Sequence, residues 1–259
     1  MAASDDMMLS LDRVTVRFGG ITALDEVSFD VNRASICGLI GPNGAGKTTC
    51  FNCISGLYRP QGGSIRFGGR DLTELPRHQI AHLGIGRTFQ NLALFPSMSV
   101  KRNVMVGAHG NSGAGFIKTM LALPSVRRSE EEAEERSDRI LERFGLAGIA
   151  DTPVSSLPFP VQKRVEMARA MASRPKVLIL DEPAAGLNHV EVERLASEIQ
   201  QIRDQDGITV LLVEHHMNLV MRVSDKVVVL NFGKKIADGL PDEVRGNADV
   251  IHAYLGTEA

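Results

Sequence analysis

The residues with the clearest chemistry are Gly41-Pro42-Asn43-Gly44-Ala45-Gly46-Lys47-Thr48-Thr49. They fit G-x-x-x-x-G-K-[ST] at each fixed position, namely Gly41, Gly46, Lys47 and Thr48. Glycines at this spacing let successive backbone N–H groups turn toward one phosphate. A helix beginning near Thr48 would add the positive end of its dipole. On the general template for such loops, Lys47 reaches the β- and γ-phosphates and the Thr48 hydroxyl binds Mg²⁺. The chemistry predicted is therefore binding of a nucleoside triphosphate. A Gly-rich turn that merely contains a lysine is the competing reading, and it leaves the flanks unexplained.

A second cluster is Asp181-Glu182, which closes the apolar run Val177–Leu180. Beside a phosphate loop, Asp181 is placed to help hold Mg²⁺ and Glu182 to polarise an attacking water. The run Thr209–Val213 ends in the same way, in Glu214-His215-His216. A histidine at the carboxyl end of a strand sits on the rim where open α/β sheets bind ligands, although alone it would be structural. Phe18, at the end of an alternating stretch, could stack on a base or belong to the core, as strand phenylalanines usually do.

These groups need a parallel sheet to hold them. Ile36–Ile40 is short and mostly apolar, as a buried parallel strand should be, and residues 48–55 can form a helix. Val177–Leu180, Thr209–Val213 and Val227–Leu230 read as further buried strands, with Lys234–Ala237 a hairpin partner after the turn Asn231–Gly233. Leu9, Leu11, Val14, Val16 and Phe18, then Val27, Phe29 and Val31, then Ser64–Phe67, give an antiparallel sheet beside it. Between Asn91 and Pro160 the texture becomes helical. Asn103–Val106 is weakly so, Gly107–Gly115 reads as a loop, and Ala133, Ser137, Ile140, Leu141 and Phe144 recur at helical spacing within a charged run. A helix over Pro241–Leu255 closes the chain.

The chain has 259 residues, 43% hydrophobic and 23% charged, with a formal net charge of −2. That balance fits a soluble globular protein and gives no electrostatic sign of nucleic acid. The apolar runs are too short to cross a bilayer, and Met1–Leu9 lacks the basic start of a secretory signal. Cys37, Cys50 and Cys53 read as buried thiols in a reducing cytosol.

With these pieces in this order, the sequence resembles an ATP-binding cassette (ABC) ATPase over essentially its whole length. It is most similar to the larger of the two ATPase subunits of branched-chain amino acid importers. The residues that carry the resemblance are Arg87-Thr88-Phe89-Gln90, the phrase Asp181–Asn188, the insert through Phe116–Arg128 and the ending Val250–Gly256. The resemblance implies one ABC ATPase domain over 1–259, an α/β phosphate-loop fold. Its nucleotide-binding core with antiparallel sheet would be 1–90 plus 161–259, and its inserted helical subdomain 91–160.

The same resemblance implies residue roles. Phe18 matches the adenine-stacking aromatic, and Gln90 the residue that senses Mg²⁺ and the attacking water. His215 matches the switch histidine that contacts the γ-phosphate. Asn188 stands where many cassettes have Asp, and His189 where a proline is expected. The signature, commonly L-S-G-G-Q, falls on Leu157-Pro158-Phe159-Pro160-Val161. Two prolines here replace the serine and a glycine that would bind the partner's γ-phosphate. Pro160 either removes a donor amide from that contact or simply starts the helix at Val161, where proline is tolerated. The family mechanism clamps two ATP–Mg²⁺ between two such subunits, identical or not, head to tail. Closure then moves two membrane permeases, fed by a solute-binding protein, with the ATPases peripheral on the inner face of the membrane. A lipid or lipopolysaccharide exporter and a soluble non-transport ABC ATPase are the alternative functions.

Overall fold

The structure, a computed structural model, describes residues 6–88, 92–109 and 124–255. Gln90, Phe116–Leu123 and Gly256, singled out above, lie outside the described residues. The chain divides into two compact units, Met1–Ile85 with Lys176–Ala259, and Gly86–Pro175.

The chain begins with β1 (Met7–Phe18), β2 (Ile21–Asn32), β3 (Ile36–Ile40), α1 (Lys47–Ile54), β4 (Gly62–Phe67), β5 (Arg70–Asp71), α2 (Arg77–Ala81) and β6 (Ile85–Arg87). Then come α3 (Val100–His109), α4 (Pro124–Arg143), single 3₁₀ turns at Ala147–Ile149 and Val154–Ser156, and α5 (Phe159–Ala172). The first unit resumes with β7 (Val177–Asp181), α6 (His189–Asp206), β8 (Thr209–Val213), α7 (Met217–Val223), β9 (Lys226–Asn231), β10 (Lys234–Gly239), α8 (Pro241–Arg245) and α9 (Ala248–Leu255).

Two sheets result. One has the order β2-β1-β4-β5 and is antiparallel throughout. The other has the order β10-β9-β3-β8-β7-β6, with β3 parallel to both β8 and β9, β7 parallel to β8, and β10 antiparallel on the edge. Every residue of β3, β7 and β8 is buried, which is why these strands read as unbroken apolar runs rather than as an alternation. Their parallel direction brings three carboxyl ends to one rim, where the phosphate loop, Asp181-Glu182 and Glu214-His215 follow.

β1 shows how a skip in the pattern becomes a bulge. Leu9 and Leu11 alternate, but the next buried positions are Val14 and Val16, and the register slips between Leu11 and Val14. Arg13 there adopts φ 48°. Across the bulge, a Cβ on Gly63 would lie 2.3 Å from the carbonyl oxygens of Asp12 and Arg13, so only glycine admits this approach.

In the second unit, α3 runs through Gly107 to His109, where the sequence suggests a loop. A Cβ on Gly107 would stand 2.0 Å from the Arg169 carbonyl oxygen, so the glycine serves a close crossing of α3 and α5 and does not end a helix. Gly107→Ala should therefore cost about 1–3 kcal/mol through forced separation of the two helices. Urea unfolding followed by circular dichroism measures it, as a lower midpoint. At the head of α3, the fully buried Asn103 accepts from the Phe95 amide (2.8 Å) and donates to the carbonyls of Phe95, Met98 and Ser99. Of the residues at helical spacing, Ala133, Ser137, Leu141 and Phe144 are buried and Ile140 is half-buried.

The two compact units meet at 175/176, and within the second α5 packs on α3 and α4 as one helical layer. The single closing helix is broken at Gly246-Asn247, and Asn247 Oδ1 caps α9 by accepting from the amides of Asp249 (2.9 Å) and Val250 (3.3 Å). No helix among the described residues is long and apolar enough to cross a membrane.

Candidate active site

The loop between β3 and α1 is built on glycine. Gly41, Gly44 and Gly46 have φ of 152°, 76° and 101°. A Cβ on Gly41 would fall 2.1 Å from the Leu230 carbonyl oxygen, and one on Gly46 2.6 Å from that of Ala23, so the loop is pressed between β9 and β2. The β9–β10 turn secures it further. The Gly233 amide donates to the Ala45 carbonyl (3.0 Å), and the Gly233 carbonyl accepts from the Asp25 amide (2.8 Å). Behind the loop Tyr254, on α9, lies against the Gly41 backbone, and burial pushes its phenol up to about 12.

Lys47 opens α1 and is only 7% exposed. Its ammonium folds back to donate to the carbonyls of Gly41 (2.7 Å) and Pro42 (3.0 Å). Burial lowers its pKa, and the negative charges of Glu182, Asp181 and Glu214 oppose that shift. The cation thus already lies in the field of the three acids at the strand ends.

Asp181 is the last residue of β7 and is buried. Glu182 follows at φ 47°, a left-handed conformation that costs a non-glycine residue about 1 kcal/mol or more. Its amide continues the ladder by donating to the Val213 carbonyl (2.8 Å). Its Oε1 stands 3.7 Å from His215 Nδ1, within ion-pair reach. The fully buried Glu214 beside it accepts amides from both segments. The sequence marked that acid only as the end of a strand.

Thr48 is exposed at the start of α1. Its hydroxyl and the Asp181 carboxylate are hard oxygen donors. Among the described residues no group of three or more His, Cys, Asp or Glu could hold a metal ion unaided. Two hard oxygens suit Mg²⁺, which keeps waters and takes phosphate oxygens.

Phe18 is 46% exposed at the end of β1 and is not a core residue. It meets Tyr58 edge to face, with ring centroids 5.1 Å apart. Gln61 clamps its neighbour by accepting from the Arg17 amide (2.8 Å) and donating to the Arg17 carbonyl (3.3 Å). Cys37, Cys50 and Cys53 are all buried, and burial raises each thiol, Cys37 and Cys53 to about 12.

Leu157–Val161 lies in the second unit. Pro158 caps α5 in an extended conformation, and Pro160 stands within the first turn, where a missing amide breaks no helical bond. The amides of Val161 (3.0 Å) and Gln162 (3.1 Å) donate to the Pro158 carbonyl, and Gln162 Nε2 donates to that of Leu157 (2.8 Å). The first turn therefore offers the Phe159 amide, and neither of the two that follow. Asn188 caps α6 in a capping box with Glu191: its Oδ1 accepts from the Glu191 amide (3.0 Å), and its amide donates to Glu191 Oε2 (2.8 Å). An Asn in that place is thus locally stabilised.

Comparison with known proteins agrees with this geometry. The profile of the ABC transporter family matches residues 24–185, and that of the branched-chain amino acid ATP-binding cassette transporter matches 234–259. The chain is 45% identical over 249 residues to the high-affinity branched-chain amino acid transport ATP-binding proteins BraF of Pseudomonas aeruginosa and LivG of Escherichia coli, covering 96% of this chain and 98% of each relative. Among solved structures, a nucleotide-free ATP-binding cassette from an ABC transporter superposes with a TM-score of 0.83 at 29% identity, over 96% of this chain and 98% of that one. The ADP conformation of MJ1267, an ATP-binding cassette of an ABC transporter, gives 0.82 at 29% identity, over 96% and 99%. This chain belongs to the ABC transporter family, as one of its ATP-binding cassettes.

Proposed function

We propose that this cassette hydrolyses ATP to energise uptake of branched-chain amino acids, or a similar small solute, through membrane permease subunits. One observation carries the hydrolytic half. Lys47, Asp181, Glu182 and His215 end or follow three adjacent parallel strands whose carboxyl ends meet at one rim. The solute rests on the likeness to BraF and LivG over nearly the full length of both chains.

In this reading the amides of Gly44–Thr48 wrap the β-phosphate, and Lys47 trades its loop carbonyls for the β- and γ-oxygens. Thr48, Asp181 and Gln90 would hold Mg²⁺, which would supply positive charge to the phosphates. Glu182 takes a proton from the attacking water, and His215, beside it, contacts the γ-phosphate. Phe18 offers a π-face to the adenine, with Tyr58 behind its edge.

Two cassettes, identical or paired with a related chain, close head to tail. Each then presents Leu157–Val161 to the other's γ-phosphate. With Pro160 in its first turn, this helix contributes its dipole and the Phe159 amide in place of a run of amides. Closure biases two permeases on the inner face of the membrane, and a solute-binding protein delivers the cargo to them.

The proposal is tested in vesicles carrying this cassette, its neighbouring permeases and their binding protein. ATP inside should drive uptake of labelled leucine, with ATP consumed in step. ATP turnover without uptake of leucine, isoleucine or valine would overturn the solute, and absence of turnover would overturn the enzyme.

A further inference from the structure

The carboxylate of Glu214 makes contacts with both halves of the hydrolytic machinery. It follows the last residue of β8 and is 0% exposed. A carboxylate buried to that degree is costly unless its oxygens are satisfied. Here Oε1 accepts from the Ala184 amide at 2.7 Å, and Oε2 accepts from the amides of His215 (3.0 Å) and His216 (3.1 Å). These are charge-assisted bonds to an acceptor-only group, the stronger kind.

The two oxygens serve different segments. Ala184 lies two residues beyond Glu182, in the tight turn where the Ala185 amide returns to the Glu182 carbonyl (3.2 Å). His215 and His216 open the segment that leads into α7. Between the two segments, Glu182 Oε1 and His215 Nδ1 stand 3.7 Å apart. The His215 side chain is largely exposed, while its backbone amide is held by Glu214.

We propose that Glu214 is a positioning residue. Its carboxylate is a bridge that fixes the spacing between Glu182 and His215, and through it the alignment of attacking water and γ-phosphate. This rests on the roles given to Glu182 and His215 above.

The chemistry of the bridge is specific to a carboxylate. Glutamine has the same length but only one oxygen, and its NH₂ would meet a backbone amide donor to donor. Glu214→Gln therefore releases one segment while keeping the volume. Glu214→Asp keeps both acceptors and the charge but falls short by one methylene. A displacement of about 1 Å at reacting groups can cost on the order of 100-fold in rate.

The experiment is a double-mutant cycle on the purified full chain. Single-turnover rate, KM for ATP and thermal midpoint are measured for wild type, Glu214→Gln, His215→Ala and the pair, with Glu214→Asp as the variant that keeps the charge. Glu214→Gln should lower the rate by on the order of 10- to 100-fold with KM within about threefold of wild type. In the His215→Ala background its effect should shrink to a few-fold, since there is no longer a histidine to position. Glu214→Asp should fall between wild type and the glutamine variant, and it carries the same test if the glutamine variant does not fold. Full multiplicative losses in the double mutant, or a lower thermal midpoint with an unchanged rate, would overturn the proposal and leave Glu214 a satisfied core group. If His215→Ala itself keeps the wild-type rate, the reading beneath falls and the bridge with it. If His215→Ala is slow while Glu214→Gln is not, the bridge alone falls.

Discussion

Glu182→Gln is expected to leave ATP binding intact and to slow the chemical step by on the order of 10²–10⁴-fold, the usual effect of losing a general base. The side chain is partly exposed at the rim and glutamine keeps its length and volume, so the fold should be retained. Single-turnover hydrolysis beside a binding isotherm separates the two quantities. If turnover stays near wild type while binding holds, the base is another group. His215, 3.7 Å away, is then the first to examine.

The other large effect is on binding. Lys47→Ala removes the one phosphate-loop cation, and a charge-assisted contact contributes about 1.5–3 kcal/mol, so the dissociation constant for ATP should rise about 10- to 150-fold. Calorimetry decides it, and an unchanged constant would end the assignment of the loop. The same residue gives a pH dependence of known sign. Burial lowers the pKa of Lys47, and only its protonated form pairs with phosphate. ATP affinity should therefore fall as pH rises through that lowered value, and binding there should take up protons. Titrations in two buffers of different ionisation enthalpy measure the uptake.

Much of this was legible in the residues because the signals were local. Gly41–Thr48 has a fixed spacing, and β3, β7 and β8 are short apolar runs ended by functional groups. What stayed hidden depends on partners distant in the chain. Gly107 reads as a loop glycine until Arg169, on another helix, is brought against it. Glu214 reads as a strand end until three amides converge on it. The exposure of Phe18 is set by a strand end that outruns the core, and periodicity alone cannot report that. The break at Gly246-Asn247 was available locally, since glycine then asparagine is a stop followed by a cap. The whole apolar spacing of 241–255 concealed it.

The hairpin at Asn231–Lys234 bears on how such cassettes can be recombined. The profile peculiar to the branched-chain subgroup begins at 234, in the middle of that hairpin. Its opening residues form β10, an edge strand of the core sheet, and the turn just before them grips the phosphate loop through Gly233. The specialised tail is therefore grafted into the catalytic body, with no spacer between them. A chimera exchanging tails at 234 would cut across a ladder of backbone bonds, whereas a seam at Gly239-Leu240, where the strand has ended and α8 has not begun, would transplant α8 and α9 as a unit.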